Sequence, residues 1–521
     1  MGFALCLSAQ PLSGAVEYDF YTRRVSIATW ITQWADTNRV AFHFEGQATT
    51  YAELAERIEI VAGALHAEGV CEGDRVGYCG LNRIELFELL FASARIGAIF
   101  VPFNNRLTSG EIAFQIENSD PAVLFATDGF DALMRTAAGA RSVRDLDAEP
   151  ITGRSSSLPA ESDQRQATVL MVYTSGTTGQ AKGAMMSHDA VVHTVLNSVD
   201  HQDLTQADRV VAPLPTFHVG GLTIQTLPTL FVGGTVMLQR RFDPAGVLAL
   251  IAEHEATQTL LVPAMLAAVA GQPGFEDTDL SSLTGINTGS SIVPAEVMQP
   301  FFDRGIPVGQ VYGTTETGPT AVVLRYEDAA DHRGSCGTPA RHSELRIVDG
   351  QGNDVTETDT GELWLRGPNI FTGYWNNPEA TSHAFGPRGW FRTGDVGHRD
   401  RDGFVTISDR MTDVVISGGE NVYPAEIEPV LAEHPAIAEV AVVGEASTQW
   451  GEVPVAVATL VEDATLSIDE LRDWCEDRLA RFKQPKLLRV VKTLPRTALG
   501  KVKKHELRTK AWSSSDDPGS S

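Results

Sequence analysis

Two hydrophobic rhythms alternate along the first 200 positions. From Thr50 to Val70, Leu54, Ile58, Val61 and Leu65 return at helical spacing, and Thr50 with Glu53 makes a capping box, so this stretch predicts a helix. "RVGYCG" then reads as a short buried strand, "RIELFELLFASARIG" as a helix and "AIFVPFN" as another strand. "PAVLFAT" and "ATVLMVYT" add further buried strands. Such a β-α-β alternation predicts a parallel sheet covered by helices. Beyond Asp409 the elements shorten: a helix from about Pro424, strands "EVAVVG" and "VPVAVATLV", and a helix opened by the Ser467/Glu470 capping box. The expected organisation is α/β. It has a large N-terminal domain of β-α-β-rich subdomains (1–409), a hinge (410–413), a small α+β C-terminal domain (414–510) and a disordered tail (511–521).

Composition narrows this picture. The 521 residues correspond to about three domains or subdomains at roughly 150 residues each. With 43% apolar and 21% charged residues, the chain can bury large cores. A net charge of −26 argues against nucleic acid or an anionic membrane surface as partner. No apolar run of about 18 residues suggests a membrane span. The first residues lack the basic and apolar regions of a secretory signal. Cys6, Cys71, Cys79, Cys336 and Cys475 are scattered without metal-like spacing, which fits a reducing cytoplasm.

Lysine usage points to the chemistry. Lys182 is the first lysine of the chain and the next is Lys483. Lys182 closes "YTSGTTGQAKG", which follows an apolar strand and precedes the helical pattern "SHDAVVHTVLNSV". A strand, a Gly/Ser/Thr loop and a helix make the layout of a phosphate cradle. Glycines let backbone N–H groups approach anionic oxygens, hydroxyls add donors and one lysine adds charge. The order Ala181-Lys182-Gly183 differs from a Walker P-loop, which needs Gly-Lys-Ser/Thr.

This string resembles the phosphate-binding signature of the adenylate-forming enzymes, a family of acyl-CoA synthetases, peptide-synthetase adenylation domains and luciferases. Ala181 stands where the family usually has proline. The resemblance covers about residues 30–508 and places Thr174, Ser175, Gly176, Thr177, Thr178, Gly179 and Lys182 on the phosphates of ATP. "QVYGTTETG" is similar to the family's second nucleotide motif. It implies Gln310, Tyr312 (against adenine), Gly313 and Thr314 at the nucleotide, Thr315 at the α-phosphate, and Glu316 as a catalytic carboxylate holding Mg²⁺. "NTGSS" implies Gly289 and Ser290 beside adenine, although the family often has Gly-Gly-Ala-Pro there. "GWFRTGDVG" implies Asp395 as the acceptor of the ribose hydroxyls, and "SDRMTDVVISGGENVYPAEIE" places Arg410 near ribose and phosphate. Lys501, in "LPRTALGKVKK", matches the catalytic lysine. "PLPTFHVGG" matches the acyl-pocket stretch. There His218 stands between the nucleotide and acyl sites, and Gly220, Gly221, Gly289 and Gly318 line an apolar tunnel.

The resemblance implies a two-step reaction. A carboxylate attacks the α-phosphorus of ATP to give acyl-AMP and pyrophosphate, with Lys501 bridging the two anions. The mobile C-terminal domain then turns about the hinge, where Thr412 replaces the usual Asp or Lys. Gly418, Gly419 and Trp450 would receive coenzyme A, whose thiol takes the acyl group. The implied activity is that of an acyl-CoA ligase for a medium- or long-chain fatty acid or an aromatic, cinnamic-type acid. Its implied cofactors are ATP, Mg²⁺ and coenzyme A, and a homodimer is common in the family. Two alternatives stay open: a stand-alone adenylation enzyme that loads a carrier protein, and a nucleotide-binding protein without catalysis.

Overall fold

A computed structural model of the protein describes residues 26–152, 158, 165–174, 180–289, 293, 295–356, 359–410, 414–495 and 502–509. Ser175–Gly179, Ser290, Thr412, Lys501 and the expected tail lie outside the described residues, and of Arg410 only the backbone is described.

Four sheets organise the described chain. In the first, strands Val308–Tyr312, Gly285–Gly289, Gln258–Leu260, Arg209–Ala212, Thr235–Leu238 and Val40–Phe44 run parallel, and short antiparallel strands flank them at both edges. The second is built on Thr168–Thr174, Ile99–Pro102, Arg75–Cys79, Val123–Ala126 and Val143–Asp145, again parallel. Glu344–Val348, Gly361–Arg366, Phe391–Arg399 and Val405–Arg410 make an antiparallel third sheet. From Val415 onward the chain builds the fourth, around the long hairpin Ile437–Ser447 and Gly451–Leu460. The α/β class follows from this alternation.

The local signals act as their chemistry dictates. Helix Tyr51–Ala67 starts at Thr50, whose hydroxyl accepts from the Glu53 N–H while the Glu53 carboxylate accepts from the Thr50 N–H. Its Leu54, Ile58, Val61 and Leu65 are buried, together with helices Ile84–Arg95 and His188–Gln202, in a core shared by the two large sheets. Ser467 and Glu470 cap helix Ile468–Cys475 in the same way.

One element departs from the expected pattern. The phosphate-loop string does not run from a strand directly into a helix. Lys182–Ser187 forms an antiparallel strand on Thr168–Thr174, with Thr174 opposite Lys182, and helix His188–Gln202 begins only after it. The string is the tip of a hairpin, so the helix N-terminus stands at the far end of the second strand, away from the loop. Gly183 is needed there, because a Cβ would come 2.8 Å from the Met171 sulfur across the pair.

Candidate active site

One cavity of about 720 Å³ is bounded by residues from all four sheets. Three groups of side chains meet on it, each drawn from motifs far apart in sequence.

The first group surrounds Glu316. A tight turn at Thr315–Thr317 follows strand Val308–Tyr312 and is held by the Thr314 N–H donating to the Thr317 hydroxyl at 2.8 Å. Gly313 and Gly318 close this turn: a Cβ on Gly313 would stand 2.4 Å from the Gly318 carbonyl, and Gly318 has φ of 64°. Glu316 is buried, and its Oε1 accepts from the Tyr374 hydroxyl at 2.9 Å and from Thr174 Oγ1 at 3.3 Å. Burial pushes the Tyr374 phenol up, and the neighbouring Glu316 carboxylate adds to the rise. The Lys182 ammonium lies 5.2 Å from the centre of the Tyr374 ring. Tyr374 carries no sequence signal; it arrives through a two-residue strand paired with Lys182–Ser187.

Tyr312 and Asp395 form the second group, of which Asp395 borders the cavity and Tyr312 does not. The Tyr312 hydroxyl donates to Asp395 Oδ2 at 2.7 Å, and Asp395 is only 2% exposed. Burial first, then the Asp395 charge, raises the tyrosine pKa, so the phenol stays protonated as a donor.

The third group centres on Glu420. Gly418 and Gly419, with φ of 59° and 83°, make a two-residue turn between strands Val415–Ser417 and Glu420–Val422. Positive φ at both central residues suits the twist of a tight hairpin and selects glycine. The turn delivers Glu420, 3% exposed, to the large domain. There Glu420 meets His218 Nε2 at 2.9 Å, the Arg106 guanidinium at 2.5 Å and the Asn104 amide at 3.4 Å. Burial alone raises the Glu420 pKa, but His218 and Arg106 outweigh it and hold the carboxylate at about 2 instead of 4.5. A depressed pKa stabilises the fold above about pH 4.5, and the contribution is lost as pH falls through about 2. The difference is on the order of 3 kcal/mol. Glu420→Gln is therefore expected to flatten the fall of the unfolding midpoint between pH 5 and pH 2.5. A fall as steep as in the unchanged protein would show that this carboxylate carries no such linkage.

Other expected residues stand near the cavity without lining it. Gly221 lies under the Pro215 carbonyl, 2.1 Å from where a Cβ would be, and Gly289 lies under the Val311 carbonyl at 2.5 Å. Close backbone approach explains both glycines. Gln310 is buried in its strand. Trp450 is 45% exposed, and its carbonyl accepts from the Gly418 N–H at 2.8 Å. A Cβ on Gly418 would come 2.9 Å from the indole. Among residues that motif reading missed, Lys483 bridges Glu111 at 2.6 Å and Glu426 at 2.8 Å, tying the fourth sheet's domain to helix Ser109–Ser119. Glu420 had a signal: a Gly-Gly pair between two short apolar runs marks a hairpin that projects its next residue.

The AMP-binding enzyme model matches residues 30–375, and the model of the AMP-binding enzyme C-terminal domain matches residues 426–501. The chain belongs to the AMP-binding enzyme family. It is an acid–thiol ligase of the AMP-forming type, using ATP and coenzyme A. It is 42% identical over 499 residues to an indoleacetate–CoA ligase of Aromatoleum aromaticum, covering 93% of this chain and 98% of that one. Over 495 residues it is 37% identical to a feruloyl-CoA synthase of an Amycolatopsis species, covering 93% and 99%. Among solved structures, o-succinylbenzoate CoA synthetase from Bacillus subtilis is 33% identical. A double mutant of it bound to a product analogue superposes with a TM-score of 0.85, covering 92% of this chain and 98% of that one. The same enzyme holding its acyl-adenylate intermediate gives 0.70, covering 93% and 98%. Among the described residues no helix is long and apolar enough to cross a membrane.

Proposed function

We propose that this ligase converts an aromatic monocarboxylic acid into its coenzyme A thioester. The observation that carries the reading is the convergence of the three groups on one cavity whose remaining wall includes Leu214, Ile224, Val262 and Val311. Relatives acting on indoleacetate and ferulate support the aromatic class.

In the first half-reaction, Thr174, Lys182 and the loop between them hold the ATP phosphates. Asp395 accepts the ribose hydroxyls, and Tyr312, its hydroxyl fixed by Asp395, offers its ring to adenine. Thr315 meets the α-phosphate, and Lys501 neutralises charge between the two reacting anions. Glu316 fits a magnesium ion. Its hydrogen bonds from Tyr374 and Thr174 both fall on Oε1. Magnesium usually takes only one or two protein carboxylates together with phosphate oxygens and water. Bound there, it would neutralise phosphate charge. In the second half-reaction the thiol forms a C–S bond at the acyl carbonyl, the C–O bond to AMP breaks and the thiol proton is released. The match to the product-analogue complex supports assigning this structure to the second step, with residues 410–413 as the hinge and Thr412 within it.

Trp450→Ala is expected to raise the KM for coenzyme A about tenfold and leave ATP–pyrophosphate exchange within twofold, as loss of one aromatic contact suggests. An unchanged KM would remove Trp450 from the coenzyme site. The decisive experiment supplies ATP, Mg²⁺, coenzyme A and a pool of alkanoic, benzoic, arylacetic and cinnamic acids, and reads products by mass spectrometry. Aryl thioesters with AMP are expected. Aryl adenylates without thioester would instead point to a carrier protein as acceptor.

A further inference from the structure

Below the cavity wall, the nine-stranded sheet carries a buried polar cluster. Val311, on the wall, pairs with Gly289, and two residues back Gly309 pairs with Asn287 on the same face. At about 3.3 Å per residue, Asn287 lies roughly 7 Å further along its strand. Helix His188–Gln202 packs over this face and contributes His201 and Gln202.

The hydrogen bonds fix the state of each group. The Asn287 amide nitrogen, in a fully buried side chain, donates to the Tyr326 hydroxyl at 2.6 Å and to Gln202 Oε1 at 3.0 Å. Tyr326 spends its own proton on Gln258 Oε1 at 2.8 Å. Both amide protons of Asn287 are used, so its oxygen accepts from His201 Nε2 at 2.8 Å. His201 therefore carries its proton on Nε2, and Nδ1 presents a bare lone pair. Burial drives its pKa down to about 4, so the ring is neutral near pH 7. Among the described residues His201 Nδ1 has no partner. Gln202 donates to the Ser198 and Ile224 carbonyls and accepts from Gln225, which leaves Gln225 Oε1 without a partner among the described residues. Turning Gln202 over sets its oxygen against two carbonyls, turning Asn287 over sets its oxygen against Gln202 Oε1, and turning Gln225 over breaks its bond to Gln202. The cluster holds two buried acceptors too many.

It is also rigid. A Cβ on Gly285 or Gly309 would come 2.5 Å or 3.0 Å from the Tyr326 ring, or closer still to backbone at Gly309, so the ring lies directly on the sheet. Ile224, whose carbonyl Gln202 binds, is itself on the cavity wall, and Gln225 follows it. A buried acceptor without a donor is unfavourable, and a ligand that brings the donor removes that cost.

We propose that this cluster is the far end of the acyl site, and that it selects aromatic acids carrying a ring N–H or O–H remote from the carboxylate. The inference rests on the aromatic reading given above. The test measures kcat/KM for thioester formation by the full-length protein on two matched pairs: indole-3-acetate against 1-benzothiophene-3-acetate, and 4-hydroxycinnamate against 4-methylcinnamate. The donor-bearing acid of one pair is expected to be favoured about 10- to 100-fold, and the pair that responds tells N–H from O–H. Gln225→Met or His201→Phe is expected to bring that ratio towards one. Equal kcat/KM within both pairs, with thioester formed, overturns the inference and leaves the ligase reading standing; the acceptors are then met by buried water. Thioester from alkanoic acids but from none of these four overturns the aromatic reading and the inference with it. Should neither variant fold, the matched pairs on the unchanged protein decide alone.

Discussion

Lys501→Ala is expected to slow acyl-AMP formation by about 10²–10³-fold, the usual cost of removing one group aimed at developing charge. Thioester formation from acyl-AMP supplied ready-made should stay within a few-fold of the unchanged rate. The split arises because two anions meet in the first half-reaction, whereas the second sets a thiol against an already activated carbonyl. Pyrophosphate exchange reads the first half-reaction and single-turnover mixing of acyl-AMP with coenzyme A reads the second. Equal losses in both would mean that the lysine supports the fold or the nucleotide generally and has no role particular to adenylation.

Glu420→Ala is expected to do the reverse, slowing the thioester step by about 10- to 100-fold with adenylation largely retained. That size corresponds to losing charge-assisted hydrogen bonds of about 1.5–3 kcal/mol. The reason is geometric. Glu420 belongs to the fourth sheet, whereas His218 and Arg106 belong to the large domain. Their bonds join the fourth sheet to the large domain, so removing the carboxylate is expected to weaken this arrangement. Scattering curves of the variant with a bound product analogue should report a more open particle. A variant as compact as the unchanged protein, with an unchanged thioester rate, would show that other contacts hold the arrangement.

Much of this site is legible in the sequence because each motif obeys a local rule. Thr50 and Glu53 cap a helix by their own side chains, Ser467 and Glu470 do the same, and an isolated lysine in a Gly/Ser/Thr string suits phosphate. What escapes is whatever two distant segments make together. "KGAMMS" has no clean alternation, and its strand character depends on pairing with Thr168–Thr174 and with Gly373–Tyr374. Glu420 finds partners 202 and 314 positions away. Gly221 and Gly289 read as pocket residues because small size is common to an open tunnel and a tight backbone contact; only the carbonyls above them tell the two apart. His201, Gln225 and Asn287 look like ordinary helix and strand residues until their bonds are counted.

The Lys483 bridge has a consequence for turnover. Glu111 spends its other oxygen on the Thr108 hydroxyl and N–H at the start of its own helix, and Glu426 travels with Lys483 on the small domain. Were the domains to part, each charge would keep a companion: the acid would stay with its cap and the ammonium would leave with its carboxylate. Neither half would be stranded in a dry socket, so such a contact would hold this arrangement and still be cheap to leave.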